Sequence, residues 1–174
     1  TLLRHYGILT HPVALHAHNE DQKSRAVEAW LRAGRSVALI SDAGTPAISD
    51  PGARLVAATH AAGFPVIPIP GPSAVAAAVS AAGLAADRFV FAGFLPAQPK
   101  ARRAWLDRFG TLDVALVFHE APHRVRATID ELAAVLEHDR CLVIAREITK
   151  KFESITRMPL GEAAAWMAAD PQRQ

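Results

Sequence analysis

A single cysteine, Cys141, is all the thiol chemistry in these 174 residues, so no internal disulfide can staple the fold. It lies in an apolar, strand-like run, which predicts an inert core residue in a reducing compartment and points to the cytoplasm. Long hydrophobic runs are lacking as well. The alanine-rich stretch from Ala74 to Ala86 is broken by Ser80 and Gly83 and falls short of the roughly 18 to 20 apolar residues of a membrane span. No signal-peptide pattern is visible, and no membrane partner is expected. Neither sign of charge dominates: 19 Lys and Arg face 17 Asp and Glu, for a formal net charge of +2. A pI near 9.0 is too mild to predict nucleic acid by itself, though it is compatible with a localised basic surface. Neither G-x-G-x-x-G nor G-x-x-x-x-G-K-[ST] occurs, which argues against an ordinary dinucleotide fold or a phosphate-loop NTPase. The absence of G-x-S-x-G leaves serine hydrolysis little support.

What is present suits a globular α/β protein. The chain is 51% apolar and 21% charged, with mean hydropathy +0.13, enough for one good core or two small ones. Asn19 with Gln22 three residues on resembles a capping box; Ala26, Val27, Trp30 and Leu31 then form one apolar stripe before Gly34 ends the helix. Apolar runs predict buried strands at about 36–41 and 65–69, separated by a helix over 51–62, and a second helix follows over about 72–82. A new cycle opens with Phe89, Val90 and Phe91, continues through a helix near 100–109 and reaches a strand at Val114–Phe118. Pro122 can open a helix whose apolar positions Val125, Ile129, Leu132 and Leu136 face a strand at Cys141–Ala145, and a last helix covers about 161–169. A soft boundary near Asp87 predicts two α/β domains, 1–87 and 88–174.

The motifs that carry chemistry sit where strands hand over to helices. In VALISDAGTPAISDPGARLV, an apolar strand signal runs into a loop punctuated by glycine and proline. Loops at the carboxyl ends of strands are where open α/β sheets bind ligands. Asp50 followed by Pro51 reads as the start of the next helix. Pro70-Gly71-Pro72-Ser73-Ala74 is a stiff turn into a helix N-terminus with free amides and small side chains, which a carboxylate or phosphate can approach closely. His119-Glu120-Ala121-Pro122-His123 matches H-E-x-x-H, a zinc signature that needs an unbroken helix. Pro122 and the strand-like run before His119 place it at a strand end instead. His16 and His18 find no third ligand at convincing spacing, so no metal is predicted.

Taken together, SDAGTPAISDPG, PIPGPSA, DRFVFAGFLP, HEAPHR and AREITK followed by Glu153 resemble the tetrapyrrole methylase superfamily. Within it they are most similar to the branch that methylates a cytidine ribose 2′-hydroxyl in 16S rRNA with S-adenosylmethionine. The resemblance runs in order along nearly the whole chain. It implies two α/β domains of the class III methyltransferase kind with the cofactor cleft between them, usually in a homodimer. Ser41, Asp42, Ala43, Gly44 and Thr45 are implied to line the cofactor, with Ser73 and Ala74 from a helix start and His119, Glu120 and Ala121 from the second domain. A ribose hydroxyl is a poor nucleophile, so a positioned base helps; His119, Glu120 and Lys150 are the candidates by residue type and expected location. Lys100, Arg102, Arg103 and Arg108 form the densest basic cluster, which Arg124, Arg126, Lys150 and Lys151 extend, and the resemblance implies phosphate contact there.

Several features depart from the superfamily pattern. Its first strand, its Pro-Thr-Pro-Ile-Gly-Asn loop and its Glu-Asp-Thr-Arg segment are not found, and TLLRHYGI reads as the end of a helix that starts upstream. A closing strand region is also not found, so the chain reads as a fragment. His119 stands in place of a usual tyrosine and Gln98 in place of a usual lysine. Two alternatives accompany the rRNA reading: a corrin-precursor methylase of the same fold, disfavoured by SDAGTP and the basic segment, and a non-catalytic RNA-binding module.

Overall fold

The computed structural model describes residues 2–85 and 87–169. The chain divides into two compact units, Thr1–Gly71 and Pro72–Gln174. The division falls earlier than the boundary expected near Asp87, because the alanine-rich helix packs against a strand of the second unit.

Among its described residues the first unit has the helices α1 (Leu2–His5), α2 (Glu20–Arg32) and α3 (Ala53–Ala61). Asn19 precedes α2 as expected, yet its side chain does not cap the helix. Its Oδ1 accepts from the His16 amide at 2.9 Å, and its Nδ2 donates to the Ala14 carbonyl at 3.1 Å, closing the preceding turn. Both long helices end alike. Gly34 at φ 75° and Gly63 at φ 79° donate back to Leu31 and His60, while the next amides, of Arg35 and Phe64, reach Trp30 and Thr59. This is the six-to-one and five-to-two pairing of a Schellman stop. A Cβ at Gly34 meets nothing within 4 Å, so Gly34→Ala isolates the cost of the left-handed backbone. We expect a loss of about 1 kcal/mol, read as a lower urea midpoint; an unchanged midpoint would refute it.

The buried strands expected at 36–41 and 65–69 do not form. These segments lack ladder hydrogen bonds, and Val37 (41%), Ile40 (59%), Ile67 (76%) and Ile69 (80%) are exposed. An apolar run becomes a strand only when another edge supplies its hydrogen bonds, and within the described residues of this unit no such edge is provided. The helix after the SDAGTP loop also starts later than expected. Gly52, at φ 136°, is its N-cap, and Asp50 and Pro51 lie in the loop before it.

The second unit is an α/β assembly: α4 (Ala74–Ala81), β1 (Phe89–Phe94), α5 (Pro99–Phe109), β2 (Ala115–His119), a 3-10 turn (Pro122–Arg124), α6 (Val125–Ala133), β3 (Cys141–Arg146), β4 (Ser154–Pro159), a second 3-10 turn (Leu160–Glu162) and α7 (Ala163–Ala168). β1 and β2 pair in parallel through the α5 crossover, with an irregularity between Phe91 and Phe94 that brings Phe94 opposite His119. β3 and β4 form a separate antiparallel pair from Cys141↔Pro159 to Arg146↔Ser154. α6 packs as its spacing predicts: Ile129 joins Met158, Ala163 and Met167, while Leu132 joins Leu106 and Leu160, and Leu142 of β3 touches both clusters. Leu106 is 1% exposed, a burial worth roughly 1.5–3 kcal/mol. Cys141, expected in the core, is exposed at the first residue of β3, with its Sγ 3.1 Å from Arg157 Nε. Among the described residues no helix is long and apolar enough to cross a membrane.

Candidate functional site

The loop from Ser41 to Gly52 is built from strained backbone. Gly44, Ala47, Ser49 and Gly52 all lie at positive φ, which is costly for alanine and serine and persists only where surrounding structure enforces it. Ser41 Oγ lies 3.2 Å from the Ala43 carbonyl and 3.0 Å from the Gly44 carbonyl, curling the chain around Asp42, which is exposed. At the far end the buried Glu20 carboxylate accepts the Gly52 amide at 2.5 Å. Sequence reading does not single out Glu20; an acidic residue in the first turn of a helix gives no sign that it reaches 32 residues along the chain.

Within the second unit, three of the singled-out segments open on one cavity of about 1300 Å³, whose walls include Ala74, His119, Glu120 and Lys150. α4 lines it along one face from Ala74 through Ala78 to Ala82, and Ser73 caps the start of the helix by accepting from the Ala76 amide at 3.3 Å. His119 closes β2, with its ring edge-on to Phe91 at 5.1 Å and tilted against Phe94 at 5.5 Å. His123 is exposed on the following 3-10 turn, so the two histidines of H-E-x-x-H do not share a helix face. Ser73 and Ala121 adjoin the cavity in sequence without lining it.

Glu120 is committed to structure. Its side chain is 8% exposed; Oε1 accepts the Ala121 amide at 2.9 Å and pairs with Arg124 Nε at 3.2 Å, while Oε2 accepts the Thr128 hydroxyl at 2.7 Å. Lys150 sits in the β3–β4 connection, exposed and ion-paired with Glu147 at 3.1 Å. Glu147 and Thr149 adopt positive φ there, and the Thr149 amide donates to Glu153 Oε2 at 2.5 Å, so AREITK and Glu153 form a tight turn.

The basic segment divides by direction. Lys100, Arg103 and Arg108 are exposed on α5, with Arg103 paired to Asp107 at 3.0 Å. Arg102 is buried, its Nε paired with Glu131 Oε2 and its Nη1 3.2 Å from the Pro96 carbonyl. Arg124, half-buried, points Nη2 at the Leu95 carbonyl, 3.0 Å away. Arg126 and Lys151 are exposed.

Comparison with known proteins bears on the same motifs. The chain is 46% identical over 172 residues to ribosomal RNA small subunit methyltransferase I of Haemophilus influenzae, covering 99% of this chain and 61% of that protein. The proteins of the same name from Vibrio cholerae (47% over 173 residues, 99% and 60%) and Pseudomonas aeruginosa (46% over 173 residues, 99% and 61%) are similarly related. The chain thus spans about three fifths of the length of these curated relatives. Residues 2–164, which include the strained loop, the α4 start and the β2–α6 turn, match the sequence pattern of the tetrapyrrole (corrin/porphyrin) methylases, and the chain belongs to that family.

Proposed function

We propose that this chain carries the S-adenosylmethionine site and part of the RNA surface of a 16S rRNA ribose 2′-O-methyltransferase. The observation that carries the reading is the cavity whose wall joins Ala74, His119, Glu120 and Lys150, residues that three separate motifs contribute. Its volume exceeds the usual 300–1000 Å³ of a small-molecule site. The residues fit the cofactor chemically. The α4 start offers backbone amides beside small Ala74 for a carboxylate, and apolar wall residues such as Val117, Leu142 and Ile144 suit a purine. For the loop at Ser41, Asp42, Ala43, Gly44 and Thr45 the support is the family likeness of SDAGTP together with the exposed Asp42 carboxylate, which suits an ammonium group.

When bound, the cofactor supplies an already activated methyl group, so the protein's task is alignment and exclusion of water. Of the three base candidates, Glu120 has its oxygens engaged by an amide, a hydroxyl and a guanidinium, and Lys150 is held by Glu147. His119, whose contacts are ring contacts at the strand end, is the base we carry forward. Glu120 positions the turn on which it sits. The relatives' names specify small-subunit rRNA as the substrate, and the exposed cations of α5 are suited to its phosphates.

Calorimetric titration of S-adenosylmethionine into the chain and into the Asp42→Ala, Thr45→Ala double variant tests the site. We expect affinity in the micromolar range, lost by at least about tenfold in the double variant, a difference of about 1.4 kcal/mol. A folded wild-type sample that gives no heat of binding would overturn the proposal for this chain.

A further inference from the structure

Two arginines of the basic segment converge on one turn instead of facing outward. The Pro96 carbonyl is approached by Arg102 Nη1 at 3.2 Å and Arg124 Nη2 at 3.4 Å, and the same Arg124 atom lies 3.0 Å from the Leu95 carbonyl. Each guanidinium is held on its other side by a carboxylate, Arg102 Nε by Glu131 of α6 and Arg124 Nε by Glu120. Leu95 is 1% exposed, so its carbonyl needs a protein donor, and the planar fork of arginine spans a carbonyl and a carboxylate together. α5 begins three residues later, at Pro99, and turns Lys100, Arg103 and Arg108 to the outside.

We propose that Arg102 and Arg124 are positioning residues that clamp the Leu95–Pro96 turn, and that the clamp holds the outward cationic face of α5 at a set angle to the His119–Ala121 turn for contact with RNA phosphates. The second half rests on the rRNA reading given above. A lysine keeps the charge but lacks the rigid fork whose separate nitrogens reach the carbonyl and the carboxylate, so Arg→Lys separates clamp from charge.

The test combines two readouts on the 174-residue chain: amide hydrogen exchange over residues 95–103, and the salt dependence of filter binding to purified 16S rRNA. Arg102→Lys and Arg124→Lys are expected to raise exchange in that segment about tenfold and to weaken RNA binding despite unchanged charge. Lys100→Gln and Arg103→Gln are expected to leave exchange alone and to lower the slope of log affinity against log salt by about 0.7–0.9 for each phosphate no longer neutralised. Lysine variants with wild-type exchange and wild-type RNA affinity would overturn the clamp. Raised exchange together with RNA binding indifferent to Lys100 and Arg103 would keep the clamp and overturn the RNA face. If Arg102→Lys does not fold, Arg124→Lys carries the test, since that side chain is already 23% exposed.

Discussion

Leu106→Ala is expected to lower the unfolding free energy of the second unit by about 3 kcal/mol, within the 2–5 kcal/mol typical of a buried leucine truncated to alanine. Leu106 is 1% exposed on α5 and packs with Leu132 of α6 and Leu160, against which Trp105, Phe118 and Leu136 lean. Removing its side chain forfeits the burial of three carbons and leaves a void. That void is ringed by residues from two helices, a strand and a turn, which cannot all move inward together. With a urea dependence of about 2 kcal/mol per molar, the midpoint falls by about 1.5 M. Leu9→Ala is the control, because Leu9 is 91% exposed and its loss leaves the midpoint within error. A shift below about 0.3 M for Leu106→Ala would mean that this cluster is not a rigid core.

Glu20→Ala is expected to cost about 2 kcal/mol and, on the proposed function, to weaken S-adenosylmethionine binding at the same time. The Glu20 carboxylate is buried, and it accepts the amide of Gly52, the N-cap of α3 and the last residue of the strained loop. Hydrogen bonds to charged groups contribute about 1.5–3 kcal/mol, and deletion leaves the Gly52 amide buried without its acceptor. The loop then loses the tie that maintains Ala47 and Ser49 at positive φ, so the residues from Ser41 to Thr45 are no longer preorganised. Glu20→Gln keeps an acceptor oxygen and should recover much of both losses. Urea unfolding and calorimetry on the two variants check this; a Glu20→Ala protein with wild-type stability and wild-type affinity would show the tie to be dispensable.

Local signals read this chain well where the partners are close in sequence. The stripe through Val27 and Trp30, the glycine stop at Gly34 and the spacing of Val125, Ile129 and Leu132 each describe one helix turn by turn, and each helix is there. β2 and β3 follow from apolar runs bounded by turns. β4 escapes such a reading, because SITRMP alternates only weakly and buries only Met158 fully. The clue available is a β-branched pair, Ile155 and Thr156, just after the turn at Glu153.

The remaining differences are all matters of direction or pairing. The runs at 36–41 and 65–69 have strand composition without a ladder, Cys141 has an apolar neighbourhood in sequence but stands exposed at the start of β3, and Arg102 lies in a basic cluster yet points inward to Glu131. The amino-acid sequence by itself determined the helices, their stops, the motif loops and the family, because periodicity, glycine punctuation and short motifs are properties of neighbouring residues. Only the tertiary structure decided which charges are spent on carbonyls and carboxylates, which face solvent, and that Glu20 ties down a loop 32 residues away. Those outcomes depend on which groups the folded backbone brings within about 3 Å, a condition that sequence spacing does not encode.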